Sequence, residues 1–218
     1  MSSAEGTGGL DPRAAAAQVA DSLDAAGARR QVLAAAIRPL REGMRAVGRA
    51  RTVQFVPVER AGDDPYDDMI DFIDGVRPGE VVVVAAGGSA RSACWGELFS
   101  AAALGRGAAG LVCDGYARDR AKVLELGFPV FARGTLPIDY RARMRVVAAQ
   151  EPVECGGARV APGDLVVAED DGVVVVPAEL EAEVVALANA RVTTESDVLS
   201  ELLGGASLRE VWERHRVL

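Results

Sequence analysis

Two phrases constrain the fold more than anything else in the chain: RPGEVVVVAAGG, from Arg77 to Gly88, and APGDLVVAEDDGVVVVP, from Ala161 to Pro177. Each sets a Pro-Gly-acid turn in front of an apolar run, which is the signal of a tight turn feeding a strand with both faces buried. The two lie 84 residues apart and suggest similar strand entries in two parts of one domain, although the likeness is too brief for a duplication. The runs Val81 to Val84 and Val173 to Val176 are too short to cross a bilayer, so no membrane partner is expected.

With 218 residues the chain can bury one substantial core. Asp11-Pro12 predicts a helix start, with Val19 and Leu23 on one face and Gly27 as the stop. The segment Arg49 to Val58 reads as a half-buried strand. A second helix from Asp64-Pro65 to Gly75 would gather Tyr66, Met69, Ile70 and Ile73 on one side. After the first valine run the pattern gives helix (Gly96 to Gly105), strand (Gly110 to Cys113), helix (Arg120 to Leu126) and strand (Phe128 to Ala132). Short strands and turns follow to Val160, then a helix from Ala178 to Arg191. This order favours a mixed, β-rich core with helices on one side over a doubly wound sheet.

Residues 1–10 are expected to be a flexible end, since they lack the basic-then-apolar order of a secretory signal. Residues 11–195 form the domain. The helical tail, 196–218, carries Val198, Leu199, Leu202 and Leu203 at helical spacing; a subunit interface is its expected place, and packing on its own domain is the alternative.

The formal charge of −8, from 24 basic against 32 acidic residues with no basic cluster, argues against nucleic acid as a partner. Cys94, Cys113 and Cys155 are odd in number and lack metal-site spacing, which fits buried reduced thiols in a cytoplasmic protein. His215, the only histidine, stands three residues from the end, so neither a Ser-His-Asp triad nor a histidine zinc site is expected.

Chemistry concentrates in GELFSAAALGRGAAGLVCDGYARD, Gly96 to Asp119. A helix opening at Gly96 would turn the amides of Glu97, Leu98, Phe99 and Ser100 outward, able to hold a carboxylate at the positive end of the helix dipole. Neither the GxxxxGK[ST] nor the GxGxxG phosphate pattern is present, and ordinary turn geometry is the alternative for these glycines. Glu97 could simply stabilise a first helical turn. Arg118-Asp119 offers a planar donor fork and a hard oxygen ligand after a buried strand; the alternative is a surface ion pair or a helix cap. Asp114-Gly115 reads as a tight turn. Any metal here would be held by carboxylates and water, which points to Mg²⁺ or Mn²⁺.

These phrases, together with VADSLDAAG (Val19 to Gly27), IRPLREGMRAVGRARTV (Ile37 to Val53), GFPVFARGTLP (Gly127 to Pro137) and GDLVVAEDDGVVVVP (Gly163 to Pro177), resemble the RraA-like family over nearly the whole chain. That family includes class II 4-hydroxy-4-methyl-2-oxoglutarate/4-carboxy-4-hydroxy-2-oxoadipate aldolases, regulators of ribonuclease E, and members once described as demethylmenaquinone methyltransferases. The resemblance implies an α/β fold, a three-layer β/β/α swivelling-domain sandwich with helical termini, assembled as a homotrimer or hexamer.

For the aldolase branch it implies a divalent-metal lyase acting on a 2-oxo acid, by retro-aldol cleavage or oxaloacetate decarboxylation through a pyruvate enolate. Asp119 would bind the metal directly and Arg118 the substrate. Glu97 would hold metal-bound water, the candidate base, and the amides through Ser100 would take the substrate carboxylate. Glu195 would reach the metal's water from a neighbouring subunit. The alternatives are a non-catalytic regulator of ribonuclease E and a diverged enolate-forming enzyme; a methyltransferase lacks its glycine-rich turn. The chain departs from the family pattern at AGDDPYDD, where Gly62 and Asp63 match but Asp64-Pro65 does not, at Tyr116, and at Tyr140-Arg141-Ala142. The distal half of the substrate is therefore expected to differ, with Tyr116 among the residues that contact it.

Overall fold

The computed structural model describes residues 7–60, 62 and 64–217. Both Pro-Gly-acid phrases close the same turn. Gly79 (φ 81°) and Gly163 (φ 90°) take the left-handed position that follows proline in a type II turn. The next acid donates its amide back to the residue before the proline, Glu80 to Arg77 O and Asp164 to Ala161 O, both at 3.2 Å. Its carboxylate in turn accepts that residue's N–H, at 2.8 Å in each case.

The turns launch strands β3 (Glu80–Ala85) and β11 (Leu165–Glu169) into one large sheet. Its order is β1 (Arg38–Pro39), β7 (Val130–Ala132), β5 (Gly110–Cys113), β3, β2 (Ala46–Pro57), β11, β12 (Gly172–Val176). Strands β2, β3, β5 and β7 run parallel; β11 pairs antiparallel with the start of β2 and β8 (Met144–Ala149) with its end. A hairpin of β9 (Val153–Cys155) and β10 (Ala158–Val160) packs over β2 and β3 as a second β layer. Helices α2 (Asp67–Asp74), α3 (Glu97–Gly105) and α4 (Arg120–Leu126) lie side by side as the third layer.

Burial explains the second valine run directly. Val173 and Val175 face the main core, whereas Val174 and Val176, with Leu165 and Val167, face a second core made with α1 (Ala16–Ala25) and α5 (Glu181–Leu203). A side-chain period of two thus places successive valines in different cores, and each contributes roughly 1.5–3 kcal/mol when fully buried. A charge at Val174 would break the packing of α1 and α5 on the sheet. A short helix, α6 (Leu208–His215), ends the described chain.

Several local expectations need correction. The chain is anchored from Thr7 rather than flexible to residue 10: Leu10 is buried, Asn189 Nδ2 donates to Gly9 O at 3.0 Å, and the Asp11 amide donates to Asn189 Oδ1 at 2.7 Å. The first six residues and Asp63 lie outside the described residues. Asp11 does not cap α1, because its carboxylate takes the Arg13 amide and guanidinium in a separate turn. In α2 the inward face is Met69, Phe72 and Ile73, and Ile70 is 49% exposed. The helix expected to stop at Arg191 continues to Leu203, so the 195/196 boundary falls within α5, where TTESD adds no proline or glycine to stop it. Val19 and Leu23 do share the buried face of α1, and all three cysteines are free and buried. Among the described residues no helix is long and apolar enough to cross a membrane.

Candidate active site

The central stretch folds so that its two ends meet. Strand β4 (Ala93–Trp95) pairs in parallel with β6 (Tyr116–Ala117), and the Arg118 amide donates to Trp95 O at 2.8 Å. That places Arg118 and Asp119 against the start of α3. Gly96 makes the contact possible: a Cβ there would stand 2.7 Å from Asp119 Oδ2 and 2.9 Å from Arg118 Cγ. Its extended backbone suits any residue, so the missing side chain, not the conformation, is what the site needs.

Asp119 occupies the N-cap position of α4 with φ 57°, ψ 35°, a left-handed conformation uncommon outside glycine and associated with functional sites. Its carboxylate does not cap α4. It turns instead to α3, where Oδ2 accepts the Glu97 amide at 3.3 Å. Nor is it mainly the ion-pair partner of Arg118, whose Nε is 3.5 Å away. The closer partner is Asp139: Arg118 Nη1 donates to Asp139 Oδ2 at 2.9 Å, and Tyr66 OH donates to the same oxygen at 3.0 Å. Burial alone would raise the Asp139 pKa, but the Arg141 amide, the Tyr66 hydroxyl and Arg118 together hold it below the ordinary aspartate value.

A cleft of about 430 Å³ opens beside these groups. Glu97, Arg118 and Asp119 form its polar head, and aromatic and aliphatic side chains form the rest. Glu97 also pairs with Lys122 Nζ at 2.9 Å. The Leu98 and Phe99 amides, at the second and third helical positions, find no acceptor among the described residues and remain available to an anion.

Ser100 corrects the expected set. Its amide is the first to find an intrahelical acceptor, Gly96 O at 3.0 Å, because the N-cap carbonyl always takes the donor four residues on. Its buried hydroxyl accepts Trp95 Nε1 at 2.8 Å and donates to Gly96 O at 2.9 Å, so Ser100 fixes the helix start instead of meeting a ligand. Tyr116 does not line the cleft; its ring packs where Gly134 leaves room for it. Glu195 lies on α5, accepting Gln18 Nε2 at 2.5 Å, and is not part of this cleft within one protomer. Tyr140, one of the departures from the family pattern expected to bear on the distal half of the substrate, does line the cleft, whereas the sequence gives no sign of Tyr66 and Asp139 as site residues. Asp114 is more than a turn: it is 3% exposed, and its carboxylate takes the amides of Ala86 (2.5 Å) and Gly156 (3.1 Å), tying β3 to the β9–β10 hairpin.

The donor set suits a hard cation. Asp119 and Glu97 supply carboxylates, and among the described residues no three or more histidine, cysteine or acidic groups are placed to hold a metal ion together. Mg²⁺ and Mn²⁺ accept one or two carboxylates and complete their shells with water and substrate oxygens. Cys94 lines the cleft, but burial pushes its thiol up to about 12, leaving it protonated and a poor ligand.

Fold and site together define a mixed α/β protein in which Glu97, Arg118 and Asp119 meet two acceptor-free helix amides at one end of an apolar cleft. The family model for RraA-like proteins, "Aldolase/RraA", matches residues 16–175, and the chain belongs to the RraA-like family. Protein DlpA of Legionella pneumophila is 31% identical over 197 residues; these are 90% of this chain but only 32% of DlpA, so the chain spans about a third of that protein. A Halalkalibacterium halodurans protein, provisionally named a 4-hydroxy-4-methyl-2-oxoglutarate aldolase, is 36% identical over 152 residues, covering 70% of this chain and 69% of its own. The crystal structure of Streptomyces coelicolor RraAS2, described as an unusual member of the RNase ES inhibitor RraA family, superposes with a TM-score of 0.79 at 36% identity, covering 87% of this chain and 94% of that one.

Proposed function

We propose that the protein is a divalent-metal-dependent lyase that cleaves a C–C bond of a 2-oxo acid, by retro-aldol reaction or by decarboxylation of oxaloacetate. The observation that carries it is Asp119: a half-exposed carboxylate on a left-handed residue, which leaves its own helix uncapped and accepts the first amide of another, with Arg118 Nε 3.5 Å away. Asp119 and Glu97 would hold Mg²⁺ or Mn²⁺, which when bound would act as a Lewis acid on the substrate's keto oxygen. The Leu98 and Phe99 amides receive the substrate carboxylate at the positive end of α3. Arg118, with one edge fixed by Asp139, turns the other toward the oxygen on which negative charge grows as the bond breaks.

The proton leaving the substrate hydroxyl passes toward Glu97, with Glu195 of a neighbouring copy in a trimer or hexamer as the second carboxylate in reach. The likeness to RraAS2 and the charge of −8 favour a second reading, a non-catalytic regulator of ribonuclease E type.

Pyruvate release from oxaloacetate and from 4-hydroxy-4-methyl-2-oxoglutarate separates the two. The lyase requires release above the uncatalysed rate with Mg²⁺ or Mn²⁺ and its loss with EDTA. No release from either by the folded protein would favour the regulator.

A further inference from the structure

The cleft is polar at one end only. Beyond its head the walls are Tyr66, Ile70, Trp95, Leu98, Phe99 and Tyr140. The four aromatic rings form a connected group, with centroids 5.3 Å apart for Tyr66–Tyr140, 6.4 Å for Phe99–Tyr140 and 5.7 Å for Trp95–Phe99. Leu98 and Ile70 flank the opening and are 76% and 49% exposed, apolar surface that a ligand would cover. Of the two phenols, Tyr66 OH is committed to Asp139, and Tyr140 OH is buried within the wall.

Charge points the same way. Among the described residues lining the cleft, Arg118 is the one cation, against Glu97 and Asp119. The helix that carries Ile70 adds no cation to that lining. Arg141 lies outside the lining, with its amide on Asp139 Oδ1 at 2.8 Å. One substrate carboxylate can be matched by the Leu98 and Phe99 amides and Arg118. A second, at the far end, would meet aromatic and aliphatic side chains, and desolvating it there without a partner is costly.

We propose that the site takes monocarboxylate 2-oxo acids bearing an apolar, aryl-sized group at the end remote from the keto carbon, and that 4-aryl-4-hydroxy-2-oxobutanoates are the class it cleaves. The choice of substrate class rests on the lyase reading above; the binding preference does not. The reaction is balanced without a redox partner. The C3–C4 bond breaks, the 4-hydroxyl loses its proton and becomes the aldehyde carbonyl, and the electron pair passes to the enolate, which takes up a proton to give pyruvate.

Two measurements on the full chain with Mg²⁺ keep the claims apart. Calorimetric titration compares 2-oxo-4-phenylbutanoate, which lacks the hydroxyl needed for cleavage, with 2-oxoglutarate. The phenyl acid is expected to bind at least tenfold more tightly. Ile70→Lys, a change at a half-exposed position that the fold tolerates, is expected to cut that ratio at least tenfold by weakening the phenyl acid and strengthening the diacid. Equal or tighter binding of 2-oxoglutarate by the parent overturns the proposal. So does a ratio that Ile70→Lys leaves unmoved, as it would if a second copy of the chain covered Ile70 and Leu98. The second measurement is release of pyruvate and benzaldehyde from 4-hydroxy-2-oxo-4-phenylbutanoate. A phenyl preference without release from any substrate keeps the subsite and sinks the lyase; release from 4-hydroxy-4-methyl-2-oxoglutarate without a phenyl preference does the reverse.

Discussion

Gly96→Ala tests the site with the smallest perturbation available. The added methyl would stand 2.7 Å from Asp119 Oδ2 and 2.9 Å from Arg118 Cγ, while ordinary contact begins near 3.4 Å. Asp119 Oδ2 must therefore retreat by about 0.7 Å, and Arg118 by somewhat less. The backbone at Gly96 is extended, so alanine brings no conformational strain, and the displaced carboxylate is the free end of a half-exposed side chain. Stability should fall by no more than about 1–1.5 kcal/mol, at the mild end of overpacking. Function should suffer more, since the displaced atoms are the proposed metal ligand and the substrate-binding arginine. With roughly 100-fold lost per ångström of misplacement, a shift of this size costs about 30-fold in kcat/KM, or ~2 kcal/mol of transition-state stabilisation. Metal-dependent pyruvate release and thermal unfolding, measured on the same preparation, give both quantities. Activity within twofold of the parent, in a protein as stable as the parent, would refute the tight apposition of α3 and Arg118-Asp119 as the basis of the site.

Other outcomes follow from the same geometry. Asp139→Asn removes the carboxylate that fixes Arg118 but keeps a similar shape; steady-state kinetics should show KM for the 2-oxo acid rising about tenfold with kcat less affected, and an unchanged KM would count against the positioning role. Arg118→Lys should weaken 2-oxo acid binding in a calorimetric titration by an order of magnitude or more, because a point charge cannot contact Asp139 and a substrate oxygen with one planar fork. The Asp139 pKa lies below its unfolded value, so its contribution to stability is fully present above the ordinary aspartate range and is lost as pH falls through the folded value. The stability gap between parent and Asp139→Asn, from denaturant unfolding, should therefore be constant from neutral to mildly acidic pH and close only in strong acid. Gly163→Ala, which forces a side chain into φ 90°, should cost about 1–2 kcal/mol in the same assay; no loss would contradict the turn that launches β11.

What could be read from the sequence was local. Pro-Gly-acid announces a turn by the chemistry of three adjacent residues, and a short valine run bounded by turns announces a buried strand. Both turned out as expected, as did the opening of α3 at Gly96. Gly96 and Asp119 could be suspected together because one stretch carries both. Their closeness, however, comes from the pairing of β4 with β6, which no periodicity reveals. The Arg118–Asp139–Tyr66 chain is out of reach because Tyr66 and Asp139 stand 73 residues apart, Tyr66 reading as part of a helix face and Asp139 as an ordinary turn residue. Ser100 departs from expectation for a different reason: with Gly96 as N-cap, the amide four residues on is committed to the helix. The start of α1 and the end of α5 differ from the expected ones because a plausible cap, Asp11, serves a neighbouring turn, and because the residues after Arg191 include none that stops a helix before Gly204.

The most direct test of the proposed chemistry is a Mn²⁺ titration of pyruvate release from 4-hydroxy-4-methyl-2-oxoglutarate and 4-hydroxy-2-oxo-4-phenylbutanoate, run in parallel on the parent and on Asp119→Ala with folding checked by circular dichroism. The parent should show saturable, EDTA-reversible release from at least one substrate, and Asp119→Ala should show none above background while retaining its fold. Metal-dependent release that survives in Asp119→Ala would contradict the placement of the reaction at this corner.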